Sequence, residues 1–154
     1  MTKNSGDGFA KPYAGRGVAF ADFDNDGYID MIVANNDDPP LLLHNSGGTG
    51  NHFLNIKLVG TKSNRDATGA RIKLRAGAIA QIREVSAGGS YFSHSDLRAH
   101  FGLGQNKTIE SVEILWPSGR RQLFNNVAAD KFYLVEEGRD QLMLQKFVPT
   151  NARH

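Results

Sequence analysis

Apolar and polar residues alternate with a period of two along most of this chain, which predicts short β-strands separated by turns. In Phe53-Leu54-Asn55-Ile56-Lys57-Leu58-Val59, the side chains of Leu54, Ile56 and Leu58 fall on one face, and those of Asn55 and Lys57 on the other. Ala70-Arg71-Ile72-Lys73-Leu74-Arg75-Ala76 repeats the pattern more sharply and sets Arg71, Lys73 and Arg75 in a row on the solvent side. The Gly77-Ala78 turn then leads into a partner strand over 79–85. Residues 109–116 alternate again, with Val112, Ile114 and Trp116 inward, and Pro117-Ser118-Gly119 turns the chain into a strand over 120–124. Residues 127–130 read as a connector and 131–136 as a further strand. The glycines of 88–93 and 97–104 predict bends, and 141–145 reads as a strand with a short tail helix as its alternative. With no sustained helical period, the fold class is all-β: an antiparallel sandwich or barrel.

The amino-terminal third has a different centre. Short β-forming runs at 17–21 and 29–34 flank Asp22-Phe23-Asp24-Asn25-Asp26-Gly27-Tyr28-Ile29-Asp30, where carboxylates recur on alternate residues and a glycine follows. Such crowded acids repel one another unless a hard cation lies between them, and Ca²⁺ accepts six to eight oxygens at roughly 2.3–2.6 Å. Asp22, Asp24 and Asp26 can turn inward, Gly27 permits the sharp turn, the Tyr28 carbonyl supplies a neutral oxygen and Asp30 completes the shell. An EF-hand is excluded, because the twelfth position from Asp22 is Val33 and the flanks are not helical. The competing reading is a solvated acidic turn that binds nothing. Beyond the loop, residues 35–40 form a turn, Leu41-Leu42-Leu43-His44 a third strand, and Asn45-Ser46-Gly47-Gly48-Thr49-Gly50 a flexible boundary.

The loop and its flanking strands, Val18 to Asn35, resemble an FG-GAP or VCBS repeat, the calcium-loop hairpin of integrin-type propeller blades. The resemblance implies Asp22, Asp24, Asp26 and Asp30 as side-chain ligands and Tyr28 as a main-chain ligand. Asn51-His52-Phe53-Leu54, the stretch Gly60 to Arg71, Phe101-Gly102-Leu103-Gly104 and Trp116-Pro117-Ser118-Gly119-Arg120 resemble the ASPIC/UnbV domain. That domain follows such propellers in secreted bacterial proteins and in the cartilage acidic proteins of animals. The resulting division is a disordered segment or linker over 1–15, a partial blade over 16–46, an ASPIC/UnbV domain over 51–137 and a tail over 138–154. An extracellular or periplasmic parent protein is implied, and this chain reads as a piece of it without the signal segment.

Composition narrows the field. In 154 residues, 40% are apolar, enough for a core, and no run approaches the length of a membrane helix. Cysteine is absent, so the redox compartment stays open. The net charge of +2 conceals an acidic loop and a basic remainder: from Asn55 to Arg83, seven cations face Asp66 alone. Arg71, Lys73 and Arg75 are anion-binding candidates for a polysaccharide or an acidic protein, with an ordinary solvated sheet face as the alternative. No interleaved aromatics point to nucleic acid.

His94, Asp96 and His100 lie close in sequence, yet no nucleophile elbow or cysteine accompanies them, and no catalytic residue is assigned. His44 and His52 are metal ligands only if folding brings them together, and Trp116 reads as a core plug rather than a sugar platform. Two functions remain: a calcium-structured interaction module, or a calcium-dependent hydrolase of phosphate or sulfate esters. Unpaired edges of a partial blade predict self-association, either with another copy or by docking on the following domain.

Overall fold

The computed structural model describes residues 12–147 apart from 49, 90 and 92. The start of the expected linker, residues 1–11, and the end of the expected tail, 148–154, lie outside them, as do single positions of the glycine boundary and of the 88–93 bend. The fold is all-β, with eleven strands among the described residues: β1 (Gly15–Ala21), β2 (Asp30–Asn35), β3 (Leu41–Leu43), β4 (His52–Val59), β5 (Arg71–Ala76), β6 (Ile79–Glu84), β7 (Ala99–Gly104), β8 (Thr108–Leu115), β9 (Arg121–Ala128), β10 (Lys131–Glu136) and β11 (Met143–Leu144). They fall into two compact units, the first up to Gly47 with Gly88–Asp96 and the second over Gly48–Ala87 with Leu97 onward.

In the first unit, β1, β2 and β3 form an antiparallel sheet in that order. The acidic loop is the turn between β1 and β2, and the register Ala21 to Asp30 sets both ends of the loop side by side. The free edge of β1 meets the 93–96 segment: the Asp96 N–H donates to the Phe20 carbonyl at 3.0 Å, and the Phe20 N–H to the Ser95 hydroxyl at 3.2 Å.

The second unit is a sandwich of two four-stranded sheets, ordered β11-β10-β4-β7 and β6-β5-β8-β9. The alternating apolar side chains face one another as a single core: Leu54, Ile56 and Leu58 of β4 and Phe101 and Leu103 of β7 from one sheet, Ile72 and Leu74 of β5 and Val112 and Ile114 of β8 from the other. Trp116, 1% exposed, is buried in that core, which removes a sugar-stacking role. Burying one face of a strand is what the period-two pattern encodes, and β4 departs from it at Asn55, expected to point outward but only 2% exposed.

Several details differ from the sequence expectation or narrow it, among them a six-residue strand, β7, where the glycines of 97–104 predict bends. The sandwich is not wholly antiparallel, since β10 runs parallel to β4, from Lys131 beside Leu54 to Glu136 beside Val59. Neither four-stranded sheet closes into a barrel among the described residues. The cause lies at the start of β10, where Asp130 is clamped to β4: its N–H donates to the Phe53 carbonyl at 2.7 Å, and its carboxylate accepts the Phe53 N–H at 3.2 Å. The expected connector at 127–130 also proves to be largely strand, because β9 continues to Ala128. Its alternation slips where Asn126 adopts φ 55°, so that Asn125 and Asn126 both face outward and Val127 returns to the core. No helix among the described residues is long and apolar enough to cross a membrane, which says nothing of strands that cross as a β-barrel.

Candidate metal centre

The acidic loop folds around its own first carboxylate. Asp22, 1% exposed, accepts the Asp26 N–H at 3.1 Å on one oxygen and the Gly27 N–H at 3.0 Å on the other. Asp30, 2% exposed, closes the loop by accepting the Phe23 N–H at 3.1 Å and, from the segment after β3, the Asn45 N–H at 2.7 Å. Asp24 accepts the Asp26 N–H at 3.3 Å, and Asp26 accepts the Tyr28 N–H at 2.8 Å. Asn25 and Gly27 supply the left-handed conformations, at φ 60° and 95°, that tighten the loop enough for these short reaches.

The loop gathers Asp22, Asp24 and Asp30 into one group, with a carboxylate oxygen from each within 4.8 Å of the others. Two oxygens bound to one Ca²⁺ at roughly 2.3–2.6 Å are at most about 5 Å apart, so this separation fits a single hard cation. An all-carboxylate donor set suits Ca²⁺ rather than a thiophilic metal. Asp26 belongs to a second group with Asp24 and His44. The carboxyl of Asp26 is pushed above the usual carboxylate range by burial and then by the charges of Asp24 and Asp30, against the opposing pull of the Tyr28 N–H and of His44. Such crowding of like charge is what a bound cation relieves.

His44 was not legible as part of this site. Its Nε2 lies 3.1 Å from Asp24 Oδ2 and 3.9 Å from Asp26 Oδ2, and its ring meets Phe23 edge-on with centroids 5.6 Å apart. The pairing of Met31 with Leu43 carries the end of β3 to the loop, and that register is a tertiary fact with no local signature. His52 takes a different carboxylate, its Nδ1 lying 2.6 Å from Asp130 Oδ2. His100 sits on β7 with its Nδ1 buried and without a hydrogen-bond partner, so no carboxylate orients that nitrogen as a triad would require.

Beside the loop lies an open groove of about 240 Å³, lined by Phe20, Phe23, Met31, Ile32 and Leu42, with Asp30, His94 and Asp96 as its acidic and imidazole members.

Of the three anion-binding candidates on β5, two are already paired across strands. Arg71 Nε is 3.1 Å from Glu84, and Lys73 Nζ is 3.4 Å from Glu113. Arg75 is exposed and has no carboxylate partner among the described residues. The sequence also gave no sign of Glu137, a 3% exposed carboxylate that accepts the N–H groups of Thr61, Lys62 and Ser63 at 2.9, 2.8 and 2.7 Å. The hydroxyls of Ser63 and Ser118 donate to its other oxygen. Burial raises its pKa, but the Ser118 hydroxyl and these N–H groups outweigh that and bring it down to about 2. It is a structural tie rather than a reactive group.

These features define an all-β protein in which a two-sheet sandwich shares the chain with a hairpin unit whose turn is a ring of carboxylates. Residues 60–142 match the family described as ASPIC and UnbV, and the chain belongs to that family. It is 31% identical over 155 residues to cartilage acidic protein 1 of Homo sapiens, covering 95% of this chain and 23% of that protein. With cartilage acidic protein 1 of Xenopus tropicalis it shares 32% identity over 123 residues, covering 76% of this chain and 18% of the relative. The chain thus spans less than a quarter of the length of the curated relatives it matches.

Proposed function

We propose that this chain is a calcium-binding extracellular interaction module, in which Ca²⁺ organises the hairpin unit and the sandwich presents a surface to an anionic glycan or protein. The observation that supports it most is the approach of the Asp22, Asp24 and Asp30 oxygens to within 4.8 Å in a loop already tied by main-chain N–H groups. Asp22, Asp24, Asp26 and Asp30 hold the ion, and the Tyr28 carbonyl adds a neutral ligand, as in an FG-GAP/VCBS hairpin. The extracellular setting draws on relatives named for cartilage. Arg71, Lys73 and Arg75 form the cationic row toward the partner. The test is Ca²⁺ titration of the native chain and of Asp22→Asn, together with retention on a polyanion column: saturable binding lost in the variant supports the reading, and its absence in both overturns it.

His44 beside Asp24 favours one second reading, a calcium-dependent hydrolase of phosphate or sulfate esters. The imidazole would take a proton from a water held at the ion. A screen of such esters with and without chelator decides it, since turnover that requires the ion is its signature.

A further inference from the structure

The outward face of the sheet β6-β5-β8-β9 presents side chains in registered rows, one residue from each strand. Ile82, Lys73, Glu113 and Leu123 make one row, since Lys73 is the cross-strand partner of both Ile82 and Glu113, and Glu113 is the partner of Leu123. The neighbouring row reads Glu84, Arg71, Leu115 and Arg121, with Arg71 3.1 Å from Glu84 and Arg121 3.6 Å from Glu113 within the sheet. Ile82 and Leu123, 61% and 60% exposed, are the most exposed large apolar side chains of this unit among the described residues. Side chains so placed leave apolar surface in water on both flanks of an ion pair.

From β6 to β9 the first row reads apolar, cation, anion, apolar; from β9 to β6 it reads apolar, anion, cation, apolar. The row is therefore its own complement. A two-fold axis parallel to the strands, between β5 and β8, lays the face on a second copy of itself. Lys73 of one copy then meets Glu113 of the other and Ile82 meets Leu123, while in the neighbouring row Glu84 meets Arg121 and Arg71 lies over Leu115, each contact occurring twice. No such match follows from a face that is merely basic.

We propose that this face is the interface of a two-fold dimer of the chain. The proposal rests on the interaction-module reading but gives this face to a second copy in place of the anionic partner. Lys73 and Glu113, already 3.4 Å apart within one sheet, become part of a ring of four alternating charges, and the flanking Ile82 and Leu123 side chains leave water. Four strands about 4.8 Å apart, two of eight residues and two of six at about 3.3 Å per residue, give a footprint of about 440 Å² per copy. Doubled over both copies, that lies below the standard size and in the range of weak, transient contacts, so the dimer forms and dissociates with concentration.

The test is sedimentation of the native chain, Lys73→Glu, Glu113→Lys and the double variant, from about 1 to about 500 µM, a range that brackets weak complexes. Native chain is expected to approach twice the single-chain mass at the upper end. Each single variant stays at one mass, because like charges then face each other twice. An equimolar mixture of the two single variants regains the doubled mass, and the double variant does so alone, while melting curves near the native one show that all four chains fold. Ile82→Ser/Leu123→Ser, which leaves every charge in place, is expected to stay at one mass. A native chain that never exceeds one mass overturns the proposal, as does association that persists in both single variants or a mixture that stays at one mass. Should a monomeric native chain be retained on a polyanion column, the face belongs to an anionic partner, and the dimer fails while the interaction-module reading stands.

Discussion

Glu137 holds Ser63 twice, accepting its N–H at 2.7 Å on one carboxylate oxygen and its hydroxyl at 3.0 Å on the other. Through the same carboxylate the 61–63 loop is tied to Ser118 in the turn before β9, and the Thr61 hydroxyl donates back to the Glu137 carbonyl at 3.0 Å. One buried charge thus fixes an end of the sandwich where three chain segments meet. Removing it strands three main-chain N–H groups. Glu137→Ala is expected to lower stability by about 3 kcal/mol, because buried donors lose a charged acceptor. A urea midpoint unchanged from that of the native chain would contradict this.

The same group sets an acid limit. Its folded pKa of about 2 lies below the ordinary 4.5, so the unfolded chain binds the proton more readily. The stability that the ionised carboxylate contributes is fully present above 4.5 and is lost as pH falls toward 2. Measured from neutral to acid pH, the stability difference between native chain and Glu137→Gln should shrink across that window, and a difference constant with pH would refute it.

His100 acts at milder acidity. Its pKa lies below 6.5, first through burial and then through the charges of Arg83 and Arg98. Here the group is a base, so the unfolded chain again takes up the proton first, and stability falls as pH drops below 6.5. The decline between about pH 7 and about pH 5 should be smaller in His100→Phe than in the native chain. Equal declines in both would remove His100 as the cause.

Much of the sandwich was legible because a strand with one buried face must alternate, as Ile72 and Leu74 do on β5, whereas on β4 Asn55 is buried on the face opposite Leu54 and Ile56. The parallel docking of β10 on β4 was not, since alternation states which face is buried but not which neighbour lies alongside. At the loop, alternate acids and a glycine located the candidate ligands from spacing alone, since all of them lie within nine residues. His44 and Glu137 escaped for the opposite reason: each meets its partners across the fold, His44 twenty positions from Asp24 and Glu137 seventy-four from Ser63.

Gly47 makes a sharper claim about the loop's surroundings. It adopts φ 70°, and a Cβ there would lie 2.4 Å from the Tyr28 ring. Gly47→Ala must push aside the far end of that ring, at Cε2 and Cζ, and holds an alanine in the left-handed region, so strain falls on the segment that packs beside the acidic loop. Affinity for Ca²⁺ is expected to fall about tenfold, the loss of roughly one ligand's worth of geometry. Unchanged affinity by titration would show that this strain does not reach the ligands.

Chelation tests the ion's contribution to folding. With free Ca²⁺ at about 100 times its dissociation constant, binding adds about 2.7 kcal/mol, worth roughly 5–10 °C in melting temperature for a chain of this size. Excess chelator should remove that increment from the native chain and move Asp22→Asn by no more than about 1–2 °C. Identical melting curves with and without chelator would deny the ion any structural role.

The most direct measurement is calorimetric titration of metal-free chain with Ca²⁺. A single saturable site is expected in the native chain, weakened at least about 100-fold when Asp22 or Asp24 is replaced by Asn, since each removes a charged ligand. A flat titration in the native chain, or one that survives both substitutions unaltered, would mean that the carboxylates gathered between β1 and β2 hold no ion.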